Sequence, residues 1–276
     1  MYLALLKRSR ATIILLLVSI GQLAADQPIM NMMPRWDGGY GFQVLAETIH
    51  RSDLKQGDDV IASGFSEDIS VLHLQGVYTW DRSVRLTFKL PYVVDARREV
   101  LGSSGEKIVQ KDDGLGDLTL ALPVKHYFNL AARSGNWTLA PQVRIPLGQA
   151  DDAYEVANRV WGGGLFAGYE TETYDWFFAT GVGAWIFEDP EPAKWSYSLD
   201  IGWNALDYLQ ILWESDFRWD DEDAFIVSAG PAIYARLSDN IHTRLEWKHD
   251  FTSKVSPHQP DHGNGDRLSI GIGFVY

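Results

Sequence analysis

The sequence predicts an all-β chain: a transmembrane antiparallel up-and-down β-barrel of about 12 strands. Three observations carry this. Apolar and polar residues alternate with period 2 in segments of roughly 10 to 13 residues, longer than strands on a water-soluble core usually run. Aromatic residues gather near both ends of those segments, as they do at the two boundaries of a hydrocarbon layer. The last segment, DRLSIGIGFVY, sets Leu268, Ile270, Ile272, Phe274 and Tyr276 on one face and Ser269, Gly271, Gly273 and Val275 on the other. An open edge in hydrocarbon leaves backbone groups unsatisfied, so this strand is expected to pair with the first, GGYGFQVLAETIH, and close the barrel.

In chain order, the first element is a leader. Lys7, Arg8 and Arg10 precede an apolar run from Ala11 to Ile20, and Leu23-Ala24-Ala25 offers a small-residue cleavage site. That is the pattern of a secretory signal peptide over 1–25. The run is shorter than the roughly 20 residues a membrane-spanning helix needs. Residues 26–37 read as a short N-terminal periplasmic segment and 38–276 as the barrel. Loss of the leader takes three basic groups and no acidic ones from a chain of formal charge −13, leaving −16. Such a balance argues against nucleic acid as a partner. With no cysteine in the chain, a disulfide framework, a thiol nucleophile and a cysteine-linked lipid anchor are excluded.

Strands are expected near 38–49, 68–80, 83–93, 116–129, 137–147, 159–171, 175–187, 194–204, 208–219, 224–236, 241–252 and 266–276. In VRLTFKLPY, Val84, Leu86, Phe88, Leu90 and Tyr92 oppose Arg85, Thr87 and Lys89. In IHTRLEWKHDF, Ile241, Thr243, Leu245, Trp247 and Phe251 alternate with His242, Arg244, Glu246, Lys248 and Asp250. Every second connection is short, as at Asp81-Arg82, Leu130 to Asn136, Thr171 to Tyr174, Ala205 to Asp207 and Leu237 to Asn240. Short periplasmic turns and longer outer loops are the usual orientation of such barrels. Trp80, Trp137, Trp176 and Trp203 fall near the short-turn ends, and Trp161, Trp195 and Trp219 near the others.

Several motifs carry little chemistry. The glycines of GGGLFAG, Gly162 to Gly168, sit within a strand, where they read as a bend or tight packing rather than a nucleotide loop. Asn136-Trp137-Thr138 matches a glycosylation acceptor but falls at an expected periplasmic turn, and the single DHGNGD reads as a turn. The acidic run Asp220-Asp221-Glu222-Asp223 reads as a solvated loop whose spacing is not that of an EF-hand. No metal or cofactor site is expected. A hydrolase on the lipid face would need serine and histidine within hydrogen-bond reach. His249 and Ser215 stand two strands apart, so no catalytic residues are assigned and the chain is not read as an enzyme.

Leu90, Pro91 and Tyr92 end one strand, and after a variable polar loop Gly114, Gly116 and Asp117 begin GLGDLTL. With the barrel pattern around it, this resembles the outer-membrane barrel family named for the putative meta-pathway of phenol degradation. The resemblance implies a bacterial outer-membrane location and a transporter-like role toward aromatic compounds. The terminal aromatic Tyr276 resembles the sorting signal read by the barrel-assembly machinery, with tyrosine where phenylalanine is more usual.

The lumen is where function is expected. Alternation turns Arg85, Lys89, Lys125 and Arg144 inward on strands three to five, and Asp200, Glu214 and Asp216 inward on strands eight and nine, with Arg218 among them. Arg244, Glu246, Lys248 and Asp250 follow inward on strand eleven. Charges at membrane depth must face water or one another, so these are the expected lumen-lining residues, in separate basic and acidic walls. Tyr127 and Tyr234 are inward aromatic candidates for stacking on a solute. The expected role is passive passage of small solutes, aromatic or hydrophobic compounds among them. Outer-membrane lipid, the assembly machinery and a small-molecule solute are the expected partners. The alternative is a non-conducting structural or surface-interaction barrel.

Overall fold

The computed structural model describes residues 38–276 apart from Arg82, 131–132, 149–155, Asn158 and 189–190. The expected leader and the 26–37 segment lie outside the described residues. The strands are β1 Gly39–Gln56, β2 Asp59–Thr79, β3 Arg85–Leu101, β4 Lys107–Leu115, β5 Leu118–Ala121, β6 Val124–Leu130, β7 Arg133–Ile145 and β8 Gly162–Thr173. They continue as β9 Trp176–Phe187, β10 Lys194–Leu206, β11 Leu209–Asp220, β12 Phe225–Arg236, β13 Ile241–Lys254, β14 Asp261–His262 and β15 Gly265–Val275. β4, β5 and β6 follow one another along a single stave between β3 and β7, and β14 with β15 forms another. The result is a closed antiparallel barrel of twelve staves.

Closure follows from register. β1 pairs with β2 on one side and with β15 on the other. At the seam Tyr40 N–H donates to Tyr276 O at 3.0 Å and Tyr276 N–H donates to Tyr40 O at 2.8 Å. The rings of Tyr40 and Tyr276 stack at 5.5 Å and those of Phe42 and Phe274 at 5.3 Å, so outward aromatic pairs reinforce the ladder. Leu268, Ile270 and Ile272 are exposed while Ser269 is buried, which places the apolar set of the last strand outside. The same division holds for exposed Leu86 and Tyr92 against buried Arg85, and for exposed Leu245 and Trp247 against buried Arg244, Glu246 and Lys248.

All twelve expected strands are present, but the first four differ in extent. β1, β2 and β3 run to 18, 21 and 17 residues, and β4 fills what the sequence pattern leaves as loop. Beyond the apolar band the outward face meets water while the inward face buries charged residues such as Arg51 and Glu67 beside apolar ones, so hydrophobic alternation fades although pairing continues. Ion pairs bind these extensions instead: Arg51 to Glu67 at 3.0 Å, Arg98 to Glu67 at 3.1 Å and Lys107 to Glu99 at 2.6 Å. Asn136 is not a turn residue; it lies within β7 and is buried. Of DHGNGD, Asp261 and His262 form β14 against β1. The acidic run makes a tight turn, where Asp220 Oδ1 accepts from Glu222 N–H and Ala224 N–H, both at 2.9 Å.

Candidate functional site

The inner wall begins at the short-turn end with a cavity of about 800 Å³. Arg85, Lys125, Asn136, Glu170, Phe177 and Gln210 reach it from β3, β6, β7, β8, β9 and β11, so it spans much of the barrel's circumference. Glu170 accepts from Lys125 Nζ at 2.7 Å and from Asn136 Nδ2 at 2.6 Å. Arg85 donates to Tyr127 Oη at 2.9 Å. Buried charge is tolerated here because each group keeps a partner. Beside these polar groups Phe177, Ala179, Leu212, Ala232 and Tyr234 form an apolar cluster.

Further along β11 and β13, away from the short turns, lies an ion-pair network. Glu214 accepts from Tyr234 Oη at 2.8 Å and faces Lys248 Nζ at 3.0 Å and Arg244 at 3.4 Å. Lys248 also reaches Asp216 at 2.7 Å and Glu246 at 2.9 Å, and Arg244 pairs with Glu246. β11 and β13 are not neighbours; β12 runs between them. Their side chains meet because β12 turns Ser228, Gly230 and Ala232 toward them, and a Cβ on Gly230 would come within 1.9 Å of Trp247 O. Asp250 closes the row, accepting from Ser228 Oγ at 2.5 Å.

The expected separation into basic and acidic walls does not hold. Lys125 is balanced by Glu170, Arg144 by Asp117 at 3.1 Å, and Glu214 and Asp216 by Lys248. Local pairing wins because opposite charges reachable across one or two strands attract far more strongly in a poorly solvated interior than in water. Asp200 is buried and Arg218 half-buried on the same inner wall. Lys89 differs: it lies opposite Gln75, is exposed, and has no ion pair among the described residues. Tyr127 lines the cavity, whereas Tyr234 is spent on Glu214 and lies under the Arg244 guanidinium at 5.2 Å.

The sequence pattern missed several inward charges. Glu47 pairs with His73 at 2.5 Å and with Arg267 at 3.1 Å, and Glu170 serves Lys125. Glu47 shares its strand face with Gln43 and Leu45, so extending the same alternation would have found it. Asp117, at the end of the GLGD stretch, is an anchor. Its buried carboxylate accepts from Arg144 Nε at 3.1 Å and Arg159 N–H at 3.2 Å, and its own N–H donates to Val156 O at 2.7 Å. Gly116 leaves the room: a Cβ there would come within 2.4 Å of Val156 O. The GLGD stretch thus fastens Val156 and Ala157 against an inner cluster of Ile69, Val71, Val93 and Ala96.

At the other end, Glu67, Asp261 and His262 bring ligand atoms within 4.8 Å of one another. Arg98 already stands among them as the cation, 3.1 Å from Glu67 and paired with Asp261.

No protein-family model matches the sequence, and no curated protein matches it. Solved structures do. The chain is similar to an outer-membrane channel from Pseudomonas putida F1, with a TM-score of 0.71 at 16% identity over 92% of this chain and 100% of that one. It is similar at lower scores to the CymD monoaromatic hydrocarbon channel, TM-score 0.49 at 10% identity over 93% of this chain and 95% of that one. The KdgM porin gives 0.48 at 8% identity over 86% of this chain and 99% of that one. The likeness to the Pseudomonas putida protein establishes the barrel fold.

Proposed function

We propose that the chain is a bacterial outer-membrane channel for the passive passage of small solutes. The observation that carries this is the cavity of about 800 Å³ inside a closed barrel, lined by hydrogen-bonding and charged groups with Phe177 among them. A barrel built only for rigidity would fill that space with side chains, as the smallest barrels do. The outward apolar band supports residence in a bilayer, and the fold shared with an outer-membrane channel supports the outer membrane. On this reading residues 1–25 are a cleaved leader, 26–37 a periplasmic segment, and the assembly machinery inserts the barrel. The twelve inward charges read from alternation line the path: Arg85, Lys89, Lys125, Arg144, Asp200, Glu214, Asp216, Arg218, Arg244, Glu246, Lys248 and Asp250.

The Leu90-Pro91-Tyr92 and Gly114-Leu115-Gly116-Asp117 resemblance places the chain beside the phenol-degradation barrel family, and with it aromatic or hydrophobic solutes. Phe177, which lines the cavity, suits the apolar part of such a solute. A non-enzymatic role fits the outward histidines: His249 is engaged with Asp266, and Ser215 meets Ala229 rather than a histidine in the ladder.

One observation favours the non-conducting alternative. The network of Glu214, Asp216, Arg244, Glu246 and Lys248 is closely knit, and a plug would need such mutual neutralisation. Planar-bilayer recording of the refolded mature chain separates the two readings. Stepwise conductance that saturates with solute supports the channel, and a folded, heat-modifiable barrel that passes no current supports the plug.

A further inference from the structure

An outward row of ionisable residues runs unbroken across six strands. His249 is in register with Asp266, Asp266 with His50, His50 with Asp68, Asp68 with Arg97 and Arg97 with Lys111. Two junctions are hydrogen-bonded, His50 Nδ1 to Asp68 Oδ1 at 2.6 Å and His249 Nδ1 to Asp266 Oδ1 at 3.1 Å. All six side chains reach solvent, and toward the short turns the same face carries exposed Leu72, Tyr92, Trp247 and Leu268, with the exposed Asp95 and Asp113 standing between on β3 and β4. On β13 and β15 the row marks where the apolar band ends.

Its two ends differ. Along β13, β15, β1 and β2 each imidazole faces a carboxylate, whereas β3 and β4 set two permanent cations side by side. Arg97 gives one nitrogen to Glu99 at 2.8 Å, and Glu99 also takes Lys107 at 2.6 Å. Lys111 has no ion pair among the described residues. A guanidinium and an ammonium one strand apart match two oxygens of one phosphate group.

Resting on the outer-membrane reading, we propose that Arg97 and Lys111 bind the phosphorylated headgroup of an outer-leaflet lipid, whose acyl chains lie on Leu72, Tyr92 and Val94 below. The apolar apron decides between a lipid and a free anion. A soluble phosphate would use only the two charges, while an amphiphile uses both the charges and the band.

The test is lipid retention by the refolded barrel in zwitterionic micelles at low salt, read by native mass spectrometry. The probes are diphosphorylated lipid A and the same lipid stripped of phosphate. The wild type should retain the phosphorylated form about ten-fold better, and R97Q/K111Q should lose that preference. Equal retention of the two lipids by the wild type overturns the proposal, as does an unchanged preference in the double variant. So does displacement of the lipid by equimolar inorganic phosphate, which would mean a free-anion site. Heat-modifiable mobility, read separately, reports whether the chain is a membrane barrel at all. The comparison of two lipids on the wild type needs no variant to fold.

Discussion

Lys248 on β13 lies 3.0 Å from Glu214 on β11, across an intervening strand whose inward residues are too small to part them. The contact depends on Gly230 as much as on the two charges, because that glycine opposes Glu214 in the ladder.

Gly230→Ala should therefore disturb the barrel itself. The added methyl would meet Trp247 O, and relieving that contact means moving β12 away from β13. An overpacked interior position costs about 1–3 kcal/mol. The folded fraction after refolding, followed by heat-modifiable mobility against denaturant, should fall accordingly, whereas Gly163→Ala, with open space around it, should fold like the wild type.

Selectivity should respond to the charges that the network balances. Glu214→Gln with Asp216→Asn removes two negative charges and leaves Lys248 without both carboxylates. In a conducting channel the reversal potential in a salt gradient should move toward anions, and the shift should shrink as salt screens the interior. Adding Lys248→Met should return part of it. An unmoved reversal potential in a conducting double variant would remove these residues from the path.

Asp117→Ala removes a buried carboxylate that Arg144 and the Arg159 N–H share. Breaking this ion pair from one side should cost about 3–5 kcal/mol. Arg144→Met in the same chain should recover much of it, and a double-mutant cycle reads the coupling. Equal losses for the single and double variants would place the effect in the bond from the Arg159 N–H instead.

Lipid exposure supplies a fourth test. Leu245→Arg puts a charge on the outward face and should cost about 2–4 kcal/mol near mid-bilayer, while Thr87→Ser on the inner face should cost far less. The inward Arg244 would not serve as such a control, since it holds Glu214 and Glu246.

Outside the membrane, Glu99 ties β3 to β2 and β4. The Lys107 ammonium, followed by the Ser66 N–H, holds its carboxyl down to about 2 from the usual 4.5. A carboxylate lowered on folding supports the structure above its unfolded value, and that support drains as pH falls from about 4.5 through about 2. The Ser66 amide resonance should titrate with a midpoint near 2, and Glu99→Gln should abolish that titration.

What was legible in the sequence divides along one physical line. Where lipid lies on one side and the interior on the other, as on β13 and β15, each strand declares its two faces and its place. Where the outward face meets water and the inward face buries charges such as Arg51 and Glu67, as on the outer halves of β1 to β3, pairing goes on without a hydrophobic alternation, and the strands read as loops. The inward identity of Glu214 and Lys248 follows from a single strand's period, but their contact does not. It depends on the register of three strands and on a glycine in the middle one, which no segment shows alone. The partners of Asp117 were hidden for the same reason, since Arg144 and Arg159 come from chain well beyond its own stave.

The seam at Tyr40 and Tyr276 bears on how the molecule assembles. The junction of β1 with β15 must bring together opposite ends of the described chain, while the junctions along β7 to β13 join consecutive strands. Bridging a longer stretch of chain costs more entropy, and contacts distant in sequence slow folding. Hairpins therefore have the kinetic advantage, and the stacked tyrosines are expected among the last contacts to form: a latch that shuts once the curved sheet has been laid down.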